Sequence, residues 1–304
     1  MIDKPGIYTM DAATYHADPV IVPSLSSGIA RILLSQSPRH AWTAHPRLNP
    51  DCIPESNSKF DLGSAAHALL LEGEDRMVQI DAPDYRTKAA QEERDAARTA
   101  GKHPILKAEY LNVLLMREAA LKAIAECPDL SGMTLEDGTP EQTIIWQEGA
   151  GGQVWCRIRP DWLANDHSLI IDYKSTAASA NPDAWVRTMT GMGGDVQGAF
   201  YTRGAEKALD IPSPKFVFLV QEVYPPFACS FIGLPPSFME LGMEKMRVAV
   251  AGWSKCMTAD RWPAYTNRIC WVEPPPYYQA AWEERGPDAL GIPYDVAKLW
   301  EKIQ

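Results

Sequence analysis

The 304-residue sequence predicts an α/β protein in which helices flank a mixed β-sheet. Two β-rich runs, 141–147 and 154–158, are separated by a glycine-rich turn and therefore predict a β-hairpin. A third β-rich run, 168–173, is followed by helical segments and then by the strongly apolar run 215–221. The predicted order is helix, hairpin, strand, helix, strand, with helical additions at the N- and C-terminal ends.

The N-terminal residues 1–60 are predicted to be an extension that contains one short helix. Prolines interrupt any periodic pattern in residues 1–23, which are therefore expected to be irregular. Cap residues followed by an apolar helical pattern predict a helix that begins near Ser24 or Ser26, and Pro38 is expected to end it.

Residues 61–235 are predicted to form the core of a single domain. A loop over 44–58 precedes a helix over 59–72, which carries a thick apolar stripe. Residues 74–102 carry charges of both signs and predict a solvated, partly helical segment. A second helix is predicted over 107–126 because its apolar residues recur at helical spacing.

The C-terminal part, residues 236–304, is predicted to combine a long helix with a tail rich in Pro, Trp and Tyr. From Pro263 onward the tail is expected to be irregular and packed against the body. The remaining predicted elements are a strand at 228–232 and helices at about 181–190, 195–209 and 237–258.

The charge balance limits the classes of function. The formal net charge is −10 and the isoelectric point is near 5.1, which argues against a protein that wraps nucleic acid nonspecifically. The same charge is compatible with an enzyme that meets DNA through a local basic groove and bound cations.

Location is predicted from what the sequence lacks. The apolar runs are far shorter than the roughly 18–20 residues that cross a bilayer, and the N-terminus has no apolar signal-peptide core. The six cysteines are scattered without a C-x-x-C pair, which is typical of reduced thiols in a cytoplasmic protein without membrane contact.

The residues that point to chemistry lie between 159 and 175. Asp161 follows the predicted hairpin, while Asp172 and Lys174 lie on the next strand and share one face because strand side chains alternate. Asp161 and Asp172 converge if their two strands are neighbours. Two close carboxylates favour a hard divalent cation, and a neighbouring lysine can direct a water at a phosphodiester. The alternative is a surface Asp and an ordinary strand-end Asp–Lys ion pair.

Four motifs in a fixed order carry a family resemblance. They are G-x-x-x-H at 63–67, Pro160-Asp161, Asp172-x-Lys174 and Gln197-x-x-x-Tyr201. Together they resemble the RecB-type branch of the PD-(D/E)XK nucleases, and most closely the nuclease domain of exonuclease VIII, the RecE type. The segments that carry the likeness are YHADP (15–19), SLSSGIARILLSQSP (24–38), DLGSAAHALLLE (61–72), RTK (86–88), CRIRPDW (156–162), IIDYKST (170–176), VQGAFY (196–201) and FVFLVQ (216–221).

The resemblance implies a restriction-endonuclease-like core and a metal-dependent exonuclease. Such an enzyme degrades linear double-stranded DNA in the 5′→3′ direction with Mg²⁺, for which Mn²⁺ can substitute, and leaves a 3′ single-stranded overhang for recombination. It implies metal ligation by His67, Asp161, Asp172 and the Tyr173 carbonyl, positioning of the attacking water by Lys174, and contacts of Gln197 and Tyr201 with DNA or the catalytic strand.

The resemblance also implies an assembly. Family members form ring-shaped homo-oligomers, here expected to be a tetramer or a trimer, that enclose the ends of double-stranded DNA. A RecT-type single-strand annealing protein is the expected partner.

Further residues are candidates for the site, although the sequence patterns that indicate them are less specific. Glu141 opens the predicted hairpin strand and is a candidate for an additional acidic group or for a supporting position behind the metal ligands. Ser24, Ser27 and Arg31, at a predicted helix start, are candidates for phosphate contact, although plain capping is the preferred interpretation. The last candidates for phosphate contact, Arg86 and Lys88, also fit a solvated loop.

Two other functions stay open at the level of sequence. One is a RecB-like nuclease of different polarity or substrate, of the CRISPR-adaptation or repair type. Many of these hold an iron–sulfur cluster, but Cys52, Cys229, Cys256 and Cys270 are too dispersed for a convincing clasp. The other is a catalytically inactive DNA-binding or assembly module, against which the complete set of candidate residues argues.

Overall fold

A computed structural model describes residues 1–52, 61–72, 77–130 and 132–285. The chain has two compact units, Met1–Ala264 and Tyr265–Gln304. The described part of the second unit contains one helix, Pro276–Arg285, so the prediction that the tail is irregular is wrong over this stretch. The prediction that the tail packs against the body stays a prediction.

The first unit holds the eleven strands, in three sheets, and nine of the helices found in the described residues. The strands are β1 (Gly6–Tyr8), β2 (Leu25–Ser26), β3 (Met77–Ile80), β4 (His103–Leu106), β5 (Gly138–Pro140), β6 (Thr143–Glu148), β7 (Val154–Ile158), β8 (Trp162–Ala164), β9 (Leu169–Thr176), β10 (Lys215–Glu222) and β11 (Cys229–Gly233). The helices are α1 (Ala12–His16), α2 (Ser27–Ser35), α3 (Pro38–Ala44), α4 (Asp61–His67), α5 (Lys88–Thr99), α6 (Lys107–Glu126), α7 (Pro182–Gly191), α8 (Gly194–Leu209) and α9 (Pro236–Ala259), and α10 is Pro276–Arg285 in the second unit.

Two sheets form the body of the first unit, and β3 and β4 make a separate parallel pair. The larger sheet has the order β11-β10-β9-β8-β5, with β9 and β10 parallel and the other neighbours antiparallel. The smaller sheet has the order β1-β6-β7-β2, in which β6 and β7 are the predicted hairpin. The predicted mixed α/β architecture and its order of elements are therefore confirmed.

The sheet arrangement differs from the prediction in one respect. The hairpin lies in the smaller sheet and is not a neighbour of β9, because the chain turns at residues 159–161 and inserts β8 between them. This three-residue strand was not predicted. It pairs with β9 through Trp162 opposite Ile171, which brings the start of β8 beside the strand that carries Asp172 and Lys174.

The two faces of the larger sheet bury different residues, as the alternation of strand side chains requires. One face, which includes Ile170 and Phe218, packs with residues of α7, α8 and α9 such as Trp185 and Phe200. The opposite face, which includes Tyr173, packs with residues of α4 and α6. Strand β9 is therefore buried between two layers of helices.

Helix α6 matches its predicted bounds, but its buried stripe is shifted around the axis. Val113, Met116, Ala120 and Ile124 are buried, whereas the apolar residue Leu114, next to Val113, is exposed. Periodicity predicts that a helix forms, but it does not determine which residues are buried when apolar residues occupy adjacent positions.

The N-terminal region is more regular than predicted. Residues 1–23 contain β1, which pairs with β6, and α1, which Asp11 caps. Pro38 does not simply end a helix, since it occupies the first turn of α3, where its missing N–H costs no hydrogen bond. A short strand and a five-residue helix are too brief to give a periodic signal.

The segment predicted as solvated and partly helical contains α5 and the unpredicted strand β3. The helix predicted over 59–72 appears as α4 followed by a π-helical turn over Ala68–Glu72, while Lys59 and Phe60 lie outside the described residues. Among the helices that the structure describes, none combines the length and the apolar character needed to cross a membrane.

Candidate active site

Strand β9 presents Asp172 and Lys174 on one face. Asp172 is almost fully buried, with 1% of its surface exposed. Its Oδ1 accepts a hydrogen bond of 2.6 Å from Nε2 of Gln197, and its Oδ2 contacts the ammonium group of Lys174. Asp172 and Lys174 therefore pair on one face of β9, as strand alternation predicts. Gln197 of α8 contacts Asp172 on this strand, which is one of the two kinds of contact that the resemblance implied for it.

Asp161 reaches the same place from the corner between the two sheets. Because Trp162 pairs with Ile171 in an antiparallel register, Asp161 lies next to the end of β8 and opposite the Asp172 position. Its Oδ2 accepts a hydrogen bond of 2.8 Å from the backbone N–H of Tyr173. The convergence of Asp161 and Asp172 was predicted, but β8 produces it rather than the hairpin.

His67 is delivered by the last turn of α4. Gly63 lies one turn earlier, and a Cβ built there would be 2.5 Å from Oγ of Ser175 on β9, so the glycine lets the helix approach the strand. Nε2 of His67 lies 3.3 Å from Oδ1 of Asp161 and 3.3 Å from Oε1 of Glu141. This explains why glycine and histidine are four residues apart in the motif.

Glu141 is held in place more firmly than the sequence indicated. It has a left-handed backbone, with φ of 58°, and its N–H donates to the carbonyl oxygen of Asp161 at 3.2 Å. Its Oε2 is 2.7 Å from Nη1 of Arg159, and Nε of Arg159 donates to the carbonyl oxygen of Glu141. The hydroxyl of Tyr201 donates to the carbonyl oxygen of Arg159 at 3.3 Å, which ties helix α8 to this corner.

The pKa shifts follow from burial and from this concentration of acids. Burial raises the pKa of Asp172 to about 6, and the charge of Asp161 adds to the effect. Burial opposes the charged form of Asp161, but the contacts with His67 hold its pKa below the usual value.

The pKa values of the two basic groups are both raised. Burial disfavours imidazolium at His67, yet Asp161 and Glu141 outweigh it and raise the pKa. Burial likewise disfavours the ammonium group of Lys174, but Asp172 and Asp161 raise its pKa. Lys174 is therefore a charged hydrogen-bond donor at neutral pH.

The donor set fits a divalent cation. His67, Glu141 and Asp161 each offer one ligand atom, and these atoms all lie within 4.8 Å of one another. One imidazole nitrogen and two carboxylate oxygens are suitable ligands for Mg²⁺ or Mn²⁺, with the imidazole favouring the latter. Glu141 thus joins the group that was predicted without it, and the assignments of Asp172 and the Tyr173 carbonyl as ligands stay predictions.

A cleft of about 660 Å³ opens beside these acids. Glu141 and Asp161 lie on its wall, and Arg31, Arg157 and Arg159 line it. The start of α2 also contributes, since Ser27 lines the cleft next to Ser26, the residue that caps this nine-residue helix. An anionic ligand in the cleft would meet basic side chains and helix N–H groups.

Arg31 is unusual within the cleft. Its Nη1 donates to the carbonyl oxygen of Met192 at 2.5 Å, and its buried Nε has no hydrogen-bond partner. Ser27 and Arg31 therefore remain candidates for phosphate contact.

Ser24, by contrast, is fully buried, with 0% exposed. Its hydroxyl donates to Asp18 and accepts from Arg157, so the prediction that it contacts phosphate is wrong in this conformation.

Arg86 and Lys88 do not line the cleft. Their side chains are 90% exposed, and each lies near an acid, Asp84 and Glu92 respectively. The solvated-loop alternative describes them better than a place in this cleft.

The sequence reasoning missed the cluster that supports the cleft. Buried Asp18 contacts Arg157 at 3.2 Å and His45 at 3.4 Å, and it accepts two hydrogen bonds from Ser24. Burial opposes ionisation of Asp18, but these contacts lower its pKa. A signal was present in YHADP, because Tyr15 lines the cleft and lies against the Arg157 guanidinium.

Comparisons with known proteins agree with this fold. Residues 33–273 match the profile of the PDDEXK-like domain of unknown function (DUF3799), so the chain belongs to that family. The restriction-endonuclease-like core expected from the motifs is thereby confirmed, whereas the particular closeness to the RecE type stays a prediction. Among curated proteins, no significant match to this sequence is found.

A solved structure shows the same fold at low sequence identity. The crystal structure of a "Putative exonuclease" from Eubacterium rectale aligns with a TM-score of 0.54 and 12% identity over 90% of this chain and 99% of that chain. A phage related exonuclease from Haemophilus somnus 129PT aligns with a TM-score of 0.29 and 13% identity over 64% of this chain and 95% of that chain.

Proposed function

We propose that this chain is a divalent-metal-dependent exonuclease that acts at the ends of linear double-stranded DNA. The observation that carries the proposal is the convergence of His67, Glu141 and Asp161 beside the Asp172–Lys174 pair, at one wall of a cleft lined by arginines. Membership in a PDDEXK-like family and the exonuclease names of its structural neighbours support the same reading.

Each group has a place in hydrolysis of a phosphodiester. His67, Glu141 and Asp161 would hold the cation, which when bound stabilises negative charge on the phosphate and lowers the pKa of a water. Lys174 donates hydrogen bonds to the attacking water and to a phosphate oxygen, because its ammonium group stays charged. Gln197 keeps Asp172 oriented, and the arginines of the cleft hold the strand in register for attack.

The finer features rest on the motif resemblance. We propose digestion in the 5′→3′ direction, which leaves a 3′ single-stranded overhang that is used in recombination. We also propose a ring-shaped homo-oligomer and a RecT-type annealing partner. A ring with an acidic exterior and a basic interior would reconcile the net charge of −10 with binding to DNA.

End-labelled DNA tests these proposals. Linear duplex labelled at either the 5′ or the 3′ end, with and without a 5′-phosphate, is incubated with the protein and Mg²⁺ or Mn²⁺. Early release of the 5′ label as mononucleotide, with retention of the 3′ label, is expected. Release of the 3′ label first would reverse the polarity, and cleavage of circular duplex would identify an endonuclease instead.

A further inference from the structure

A second groove lies away from the active site. It occupies about 1220 Å³ between the turn that joins β6 to β7, the C-terminal half of α8 and the middle of α9. We call it the α8–α9 groove. Its walls include Arg203 and Lys207 on α8 and Arg247 and Lys255 on α9.

The charge of this groove is opposite to that of the whole chain. Four basic side chains line it, and Glu148 is the acid on its wall. Glu148 is already neutralised, because its Oε1 accepts from Nε of Arg203 at 2.8 Å and from the indole of Trp146 at 3.1 Å. In a protein with a net charge of −10, such a groove is a local site for an anion.

Lys207 and Lys255 are the basic side chains of the groove that are most available to an anion. Both are exposed, and among the described residues neither has an acidic partner within ion-pair distance. Arg247 is less available to an anion in the groove, because it also lines a neighbouring depression that contains Glu240 and Glu244.

The floor of the groove indicates what kind of anion fits. It is formed by apolar side chains of α9, including Met243, Met246 and Val250. A duplex would present only its phosphates to such a surface, whereas a single strand can place bases on the floor and phosphates on the lysines. Since the described lining contains no aromatic ring for stacking, affinity would be mainly electrostatic and independent of sequence.

The elements that build the groove also build the active site. Strand β6 begins next to Glu141 and ends at Glu148, a separation of roughly 23 Å for an extended chain. Helix α8 carries Gln197 at the active site, and Lys207 lies about 15 Å further along its axis. A strand engaged at one site therefore has the second within reach on the same rigid elements.

We propose that the α8–α9 groove binds single-stranded nucleic acid through its phosphate backbone. The choice of nucleic acid over other polyanions rests on the proposed nuclease function, since that reaction places a strand beside this surface. The groove is a binding site without chemistry of its own.

The test compares two variants of the full-length protein that each lose two lysines. Lys207→Gln/Lys255→Gln alters the groove, and Lys102→Gln/Lys215→Gln is the control with matched charge outside it. Binding of a fluorescent 20-nucleotide strand is measured by anisotropy without divalent metal at several salt concentrations. Hydrolysis of bis(p-nitrophenyl) phosphate with Mn²⁺ reports separately on the active site.

The groove variant is expected to bind the strand about 10-fold more weakly than the control, with a salt slope smaller by about 1.4, because two phosphate contacts are lost. Its hydrolysis of the small diester should equal that of the control. Equal strand affinity and equal slopes in the two variants would overturn the proposal.

Two further measurements keep the test decisive. In the unaltered protein, bound strand should protect Lys207 and Lys255 from acetylation by sulfo-NHS-acetate, and full modification of both would contradict the proposal. Tighter binding of poly-glutamate than of the strand would overturn it in favour of an acidic polypeptide. If the protein hydrolyses no diester at all, the proposed function fails, while the anisotropy result still decides whether the groove binds a strand.

Discussion

Glu141 provides the sharpest test of the candidate metal site, because its role follows from the fold rather than from a local motif. Glu141→Gln keeps the size of the side chain and removes its charge. The amide oxygen can still reach the site, so the change isolates the loss of one anionic ligand. Glu136→Gln, at an exposed position outside the cluster, is the matched control.

The size of the effect follows from the distances. At an effective dielectric constant of about 20, a unit charge 3.3 Å from the His67 imidazolium is worth at most about 5 kcal/mol. Arg159 lies 2.7 Å from the other carboxylate oxygen and offsets much of this attraction. We therefore expect the His67 imidazolium to lose about 1–2 kcal/mol of stabilisation in the variant. The pKa of His67 falls in the variant, and Mn²⁺ affinity falls by at least about 10-fold, since even partners of metal ligands cost 10–100-fold.

The pH dependence has a defined sign. His67 must lose its proton to bind metal, so Mn²⁺ affinity rises with pH and levels off above the His67 pKa. In Glu141→Gln the plateau is reached at lower pH, but at a weaker affinity. Calorimetric titration with Mn²⁺ measures the affinity, and proton NMR of the six histidines, with His67→Gln for assignment, measures the pKa. An affinity within twofold of the Glu136→Gln control, with an unchanged His67 pKa, would refute the reasoning.

Three other predictions concern the support of the site. Asp18→Asn should lower the free energy of unfolding by about 3–5 kcal/mol, because it leaves buried Arg157 without its carboxylate. It should also flatten the acid limb of stability, because the contacts that lower the pKa of Asp18 stabilise the fold above the unfolded pKa and are lost as the pH falls through the folded one. Urea denaturation against Asp129→Asn, at an exposed position, measures both effects. Gly242→Ala should destabilise the protein by about 1–3 kcal/mol, because a Cβ would lie 2.2 Å from the Asp195 carbonyl oxygen where α8 meets α9. Gly252→Ala, whose Cβ would make an ordinary contact with Cδ2 of Leu33 at 3.6 Å, should instead stabilise it by up to about 1 kcal/mol, and equal melting temperatures of the two variants would contradict this packing. Gln197→Glu places a second carboxylate against Asp172 and should raise its pKa further, so that the acid limb of the rate profile moves to higher pH; an unmoved limb would show that Gln197 does not act on Asp172.

Much of the fold could be predicted from local patterns. The long helix at 107–126, the hairpin around the glycine-rich turn and the two strands on either side of α7 and α8 each bury a regular stripe or run. Short elements could not be predicted in the same way. Strand β8 has three residues, Trp162–Ala164, and exists because it pairs with β9 rather than because of its own sequence.

In the candidate site, too, local patterns predicted some residues, while others depend on long-range contacts. Asp172 and Lys174 share a strand, so their proximity follows from alternation alone. His67 and Asp161 were recognised by motif order, and the structure brings them together. Glu141 was uncertain, because its place depends on a backbone hydrogen bond to Asp161 and on Arg159, both long-range contacts. Ser24 was misjudged, because no sequence pattern distinguishes a helix-start serine from one buried under Asp18.

Metal-dependent digestion of linear duplex DNA by the unaltered protein and by Lys174→Ala tests the central claim most directly. Lys174 contacts Asp172, and its substitution leaves the three candidate metal ligands, His67, Glu141 and Asp161, unchanged. The unaltered protein should release nucleotides with Mg²⁺ or Mn²⁺ and stop with EDTA. The variant should bind Mn²⁺ and melt as a folded protein, yet digest at least about 100-fold more slowly. Digestion by Lys174→Ala at the unaltered rate, or digestion that persists in EDTA, would contradict the account.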